Sequence, residues 1–150
     1  MEMRPHFRIP GKIIRLGNMV TWVRNQQMQS LKLTSSQSEA IRFVLRESHR
    51  QVITAADLMA FLNLSQSTVA GILGRLEAKG LIVRETDPQD NRRIIIRPTE
   101  IGLELDESLR SSARETESIL LKGMSDREAE EFSRLLGIAL DNMLAQRNRE

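Results

Sequence analysis

Residues 54–98, TAADLMAFLNLSQSTVAGILGRLEAKGLIVRETDPQDNRRIIIRP, decide the fold. Thr54 can cap a short helix in which Leu58, Phe61 and Leu62 point one way. That helix stops at Asn63, a residue that tolerates the left-handed conformation a tight turn between helices requires. Ser65 caps a second, longer helix, which ends at Gly80. Residues 81–86 and 93–97 are rich in Leu, Ile and Val and read as paired strands. Between them Asp87, Pro88 and Asn91 form the turn. Short helix, tight turn, longer helix and hairpin, in that order, make a winged helix-turn-helix.

The longer helix must pack one face on a core and offer the other to a groove. Steps of about 100° per residue place Val69, Ile72, Leu73 and Leu76 on one side. Ser67, Gly71, Gly74 and Ala78 lie opposite, flanked by Thr68, Ala70 and Arg75, with Gln66 in the first turn. Small outward residues let a backbone approach DNA. Gln66, Ser67, Thr68 and Arg75 can hydrogen-bond to bases or phosphates, beside the cap Ser65. The two glycines have a second possible use, close helix packing inside the domain.

The hairpin carries two adjacent arginines, Arg92 and Arg93, which no turn requires. Asp90 is two residues before Arg92 and is expected to orient its guanidinium. An oriented arginine suits a narrow minor groove, where negative potential is enhanced. Ile94 and Ile96 are expected to anchor the strand to the domain.

Outside this region the chain reads as helical, so the fold class is mainly α (α+β). Residues 12–31 show Ile13, Leu16, Val20, Val23 and Leu31 near helical spacing, with Gln27 interrupting the stripe. A helix follows whose start offers two capping boxes, Thr34 with Gln37 or Ser36 with Glu39. Thr99 opens a long helix reaching about Lys122, and Ser125 with Glu128 opens the last one. The last helix carries Phe132, Leu135, Leu136, Ala139, Leu140, Met143 and Leu144 on one stripe. Such a stripe could be intramolecular core. After a complete small domain little remains in one chain to cover it, and burial across a two-fold axis is the simpler solution.

Charge divides along the chain. Residues 1–98 carry 15 Lys/Arg against 8 Asp/Glu, and residues 99–150 carry 7 against 12. The first part is thus fitted to a polyanion and the tail to another task. Aromatic residues are only 3%, so the core must be aliphatic. Cysteine is absent, which excludes disulfides, thiolate metal sites and thiol-oxidation switching. The N-terminal stretch lacks a secretory apolar region and no apolar run is long enough to span a membrane, so a cytoplasmic location is expected.

LSQSTVAGILGRLEAKGLIVRETDPQDNRRIIIRPTEIG resembles the core of the MarR family of bacterial transcriptional regulators. Asp90, Arg92, Ile96 and Thr99 match that family's D-x-R-x-x-x-(V/I)-x-L-T pattern, with Pro98 where leucine is usual. The resemblance runs from about residue 12 to 148 and is tightest from 54 to 102. It implies a homodimeric regulator, commonly a ligand-responsive repressor, reading a pseudo-palindromic operator in double-stranded DNA. Residues 34–98 would form the DNA-binding domain, and 8–33 with 99–150 the dimerisation region. The DNA contacts would come from Ser65, Gln66, Ser67, Thr68, Arg75, Asp90, Arg92 and Arg93. The dimer contacts would come from Ile13, Leu16, Phe132, Leu136, Leu140, Met143 and Leu144. The departure from relatives is at Ala70, Gly71 and Gly74, where polar, basic or acidic residues are common.

No enzyme motif is present, and no cofactor or metal site is expected. His6 reads as part of a flexible terminus and His49 as a charge at a helix end. A small amphipathic or anionic effector is implied by the resemblance, and Met19, Trp22 and Met28 are candidates to line its pocket, with simple packing the blander use of Trp22. A different class of function also fits: a winged-helix module for protein–protein assembly, without specific DNA binding.

Overall fold

The computed structural model describes residues 8–149; the reading of His6 lies outside them. Two compact units result, residues 8–116 and 117–149.

In the first unit, α1 (Ile9–Met28) runs into a 3-10 turn (Gln29–Leu31), and Lys32, with φ of 55°, redirects the chain. Thr34 then caps α2 (Ser35–Glu47). Its side chain accepts from the Gln37 N–H while Gln37 accepts from the Thr34 N–H, so of the two capping boxes the first one forms. Ile53–Thr54 form β1, too short for any alternating pattern to announce it. Thr54 caps α3 (Ala55–Leu62), which ends at Asn63 with φ of 54°. Ser65 caps α4 (Gln66–Ala78), and Gly80, at φ of 72°, turns the chain into β2 (Ile82–Asp87). A two-residue turn, Pro88 and Gln89, leads to β3 (Asp90–Pro98).

The sheet order is β1-β3-β2, antiparallel throughout. Val44, Ile41, Leu58, Val69, Leu73, Leu76, Ile82 and Ile96 fill the space between α2, α3, α4 and the sheet. Each such aliphatic side chain stabilises the fold by about 1.5–3 kcal/mol relative to exposure. Phe61 does not join Leu58 inside. It is 43% exposed and stacks on Phe43 at 4.5 Å between ring centroids, with the Arg46 guanidinium over both rings.

The single helix expected from Thr99 to Lys122 is interrupted. α5 (Glu100–Glu104) ends where Leu105 N–H bonds Gly102 O, and α6 (Asp106–Leu120) starts beyond it. The cause is packing. Gly102 presses against the Leu81 carbonyl, so that an added Cβ would lie 2.2 Å from that oxygen. Thr99 fixes the junction by donating N–H to Leu81 O and its hydroxyl to Gly80 O.

The second unit contains the last turn of α6 and α7 (Asp126–Arg147), opened by the expected Ser125–Glu128 capping box. None of its described side chains is buried.

Candidate nucleic-acid interface

α4 is built as a two-faced helix. Val69, Ile72, Leu73 and Leu76 are all buried, which fixes the rotation of the helix about its axis. Gln66, Ser67, Thr68, Ala70, Gly71 and Arg75 are then exposed, with Gly74 half-buried. A Cβ added at Gly71 or Gly74 would meet nothing within 4 Å. That removes the packing use of the two glycines: neither lets another element approach within the chain. In the first turn Ser65 Oγ accepts from the Thr68 N–H at 3.3 Å and lies 2.9 Å from Thr68 Oγ1 and 3.2 Å from Ser67 Oγ. The N-terminus of this helix therefore shows a cluster of hydroxyls around unsatisfied N–H groups, which suits an anion.

The hairpin is fastened to this helix. Glu77 on α4 accepts from the Arg84 backbone N–H and from its Nη2, both at 3.0 Å. Hydrogen bonds from the Arg84 side chain and then its backbone hold the Glu77 carboxyl below the usual carboxylate range. Lys79, just past the same end of the helix, donates to Lys32 O and, at 3.0 Å, to Gln37 Oε1.

β1 pairs only with Ile95 and Ile96 of β3, so the hairpin beyond them projects as a two-stranded wing. Ile96 is buried in the helical core and Ile95 is buried too, but Ile94 is 39% exposed. Of the two expected anchors Ile96 serves and Ile94 does not, because Ile94 lies past the part of β3 that β1 pairs. Pairing is regular from Ile82↔Pro98 to Thr86↔Ile94, and then jumps to Asp87↔Asp90. Asn91, Arg92 and Arg93 have no residue opposite them. They form a bulge, a device that redirects side chains away from the ladder.

Asp90 does not hold the Arg92 guanidinium. Its Oδ1 accepts from the Arg92 backbone N–H at 3.0 Å, because a short aspartate two residues upstream closes a local turn more readily than it reaches a long side chain. Arg93 is the tethered arginine: its Nη1 is 3.6 Å from Asp87 Oδ2. Arg97 pairs with Glu85 at 3.1 Å. Arg75 and Arg92 make no ion pair with any described residue. Both are exposed, and no carboxylate among the described residues compensates their charge.

Asp87, 8% exposed, was not among the expected site residues, since its turn-forming role accounted for it in the sequence. A second polar cluster lies between α1, α2 and α6. Gln27 Oε1 accepts from Ser112 Oγ at 2.9 Å and Thr116 Oγ1 at 2.8 Å, while its Nε2 is buried without a partner. A cavity of about 10 Å³, room for one water, is lined there by Arg24, Gln27, Met28, Ser38 and Arg42 among others. Burial, then Arg24 and Arg46, lower the pKa of Arg42. Gln27 breaking an apolar stripe was the one signal of this cluster in the sequence. Met28 is buried at the cavity, whereas Trp22 is 56% exposed, as is Met19.

Of the residues expected at a dimer contact, Ile13, Leu16, Leu136, Leu140 and Met143 are exposed, and Phe132 and Leu144 are half-buried. Among the described residues no three His, Asp or Glu side chains gather as a metal site, and no helix is long and apolar enough to cross a membrane.

Comparison with known proteins agrees with this geometry. Residues 31–93 match the family model described as MarR family. The HTH-type transcriptional regulator YdgJ of Bacillus subtilis (strain 168) is 31% identical over 90 residues, 60% of this chain and 53% of that one. The HTH-type transcriptional repressor IacR of Pseudomonas putida is 26% identical over 103 residues, 69% of this chain and 60% of that one. The chain thus spans little more than half the length of these relatives. The S. aureus MepR–DNA complex is similar with a TM-score of 0.82 and 25% identity, covering 94% of this chain and 99% of that one.

Proposed function

We propose that the chain is a member of the MarR family and, from that premise, a homodimeric, sequence-specific DNA-binding repressor whose affinity responds to a small effector. The observation that carries the reading is the pairing of two surfaces through Glu77 and Arg84. Glu77 fastens a bare, polar-edged helix face to the base of the hairpin, whose far end carries the arginine bulge. α4 enters a major groove with Gln66, Ser67, Thr68 and Arg75, its first turn receiving a phosphate near Ser65. The wing carries Arg92 to the adjacent minor groove, with Asp90 fixing the bulge backbone. Residues 34–98 do this work, and 8–33 with 99–150 hold two copies together. The repressor role follows IacR, which is named as one.

The reading is tested by footprinting DNA that flanks the protein's own gene at two salt concentrations. Protection should weaken steeply as salt rises, because cationic contacts release condensed counterions. Absence of protection at low salt from intact dimers would favour the assembly-module reading instead.

Dimerisation is supported by α7. Met143 is 70% exposed, and Leu135, Leu136 and Leu140 are also open to water in the single chain. A soluble protein covers such a stripe with a second copy. Deleting residues 126–150 should therefore abolish dimers in sedimentation equilibrium. A soluble monomer that still protects the operator would refute the interface.

The glycine pair gives a further expected outcome. With nothing within 4 Å, Gly71→Ala should strengthen α4 by about 1 kcal/mol. It should also weaken operator binding, because the added methyl holds the backbone off the groove. A raised melting temperature with unchanged affinity would show that close approach is not the use of Gly71.

For the effector, the support is the family likeness alone, since the cavity beside Gln27 has room for one water.

A further inference from the structure

The wing holds a second acid–arginine pair, distinct from Asp90 and Arg92, and it is this pair that is in ionic contact. We infer that Asp87 is a positioning residue for DNA: its buried carboxylate presets Arg93 against a phosphate, leaving Arg92 alone for the groove. The inference rests on the DNA-binding reading above.

Asp87 has two distinct partners. Its Oδ1 accepts from the Gln89 N–H at 2.9 Å and so closes the turn. Its Oδ2 faces Arg93 Nη1 at 3.6 Å. The carboxylate belongs to a residue that is 8% exposed, so it has little freedom to move. Arg93 is half exposed and sits in the bulge, where no opposite strand residue fixes its direction. The turn thus lends its rigidity to a side chain that would otherwise be free.

A guanidinium has five N–H donors in a planar fork. Arg93 can keep one toward Asp87 and present others to a phosphate oxygen without releasing its tether. A cation already beside a carboxylate exerts a reduced field at a distance. Contact with a nearby phosphate suits it better than insertion into a groove, where full charge is favoured. Arg92, without an ion pair, has that full charge.

Asp87→Asn separates the two jobs. Asparagine keeps an acceptor at Oδ1 for Gln89 N–H and loses the charge that holds Arg93. Removing a negative charge also raises affinity for any duplex, so the quantity to measure is the coupling in a double-mutant cycle, where that general effect cancels. A phosphate contact carries no sequence information, so affinities for the duplex that wild type enriches from a random-sequence pool and for an unselected duplex should shift together. Arg93→Ala should weaken both about equally and reduce the salt slope by about one. Relative to its effect in the Arg93→Ala background, Asp87→Asn in wild type should cost about 3- to 10-fold in affinity, the cost of ordering one arginine at an interface. The same effect in both backgrounds would overturn the positioning role while leaving DNA binding intact. Loss of affinity with a lowered melting temperature would make Asp87 a turn residue only. If wild type enriches no duplex at all, the DNA reading fails, and this inference with it.

Discussion

An Arg92→Ala chain binds its preferred duplex roughly 30-fold more weakly, about 2 kcal/mol, and melts where wild type melts. The affinity loss is expected because Arg92 is exposed and has no ion pair with any described residue, so none of its charge is spent inside the protein. The unchanged melting point is expected for the same reason, since exposed side chains without partners alter stability by no more than about 0.5 kcal/mol. The bulge survives, because Asp90 grips the backbone of residue 92 and not its side chain. Fluorescence anisotropy across a salt series should show the slope of log affinity against log salt falling by about one. A variant that loses affinity with an unchanged slope would place Arg92 away from the phosphates and groove. A variant that melts early would make it structural.

Gly102→Ala has the opposite profile. The new methyl would sit 2.2 Å from the Leu81 carbonyl oxygen, a backbone atom that no rotamer change can move. Relief requires α5 to shift away from the strand junction that Thr99 ties to Gly80 and Leu81. Overpacking of this kind costs about 2–3 kcal/mol. Against that, alanine recovers up to about 1 kcal/mol of helix propensity, a smaller amount. The melting temperature should fall by several degrees, with the wing loosened, because Leu81 leads directly into β2. Circular dichroism melts decide it: an unchanged midpoint would mean that α5 and Leu81 are not in the close contact described. Since Arg92→Ala removes affinity without stability and Gly102→Ala removes stability first, each serves as the control for the other.

The features legible in the sequence are those that nearest neighbours determine. Thr54, Ser65 and Ser125 cap helices because a hydroxyl reaches an N–H three residues on, and no distant residue is needed. Asn63 and Gly80 take left-handed conformations for equally local reasons. The buried side of α4 followed from 3.6-residue periodicity, because its partners are a continuous core. Features set by distant residues were not legible. The bulge at Asn91–Arg93 depends on how β2 aligns with β3, and the strand sequence permits a regular ladder just as well. Asp87 looked complete as a turn residue, and only the fold brings Arg93 to its second oxygen. Gln27 was visible as an irregularity, while its partners Ser112 and Thr116 lie 85 and 89 residues away. Gly102 carries no local signal at all, since its neighbour is a carbonyl from another element.

The empty space around Gly71 and Gly74 bears on how such a protein changes its target over generations. Most substitutions in a folded chain are limited by what the core will accept. At these two positions that limit is relaxed, because an added Cβ meets no atom of another element within 4 Å. Variation there can exchange one DNA preference for another without an intermediate that fails to fold. The same freedom makes positions 71 and 74 the places to install side chains when a regulator with a different operator is wanted.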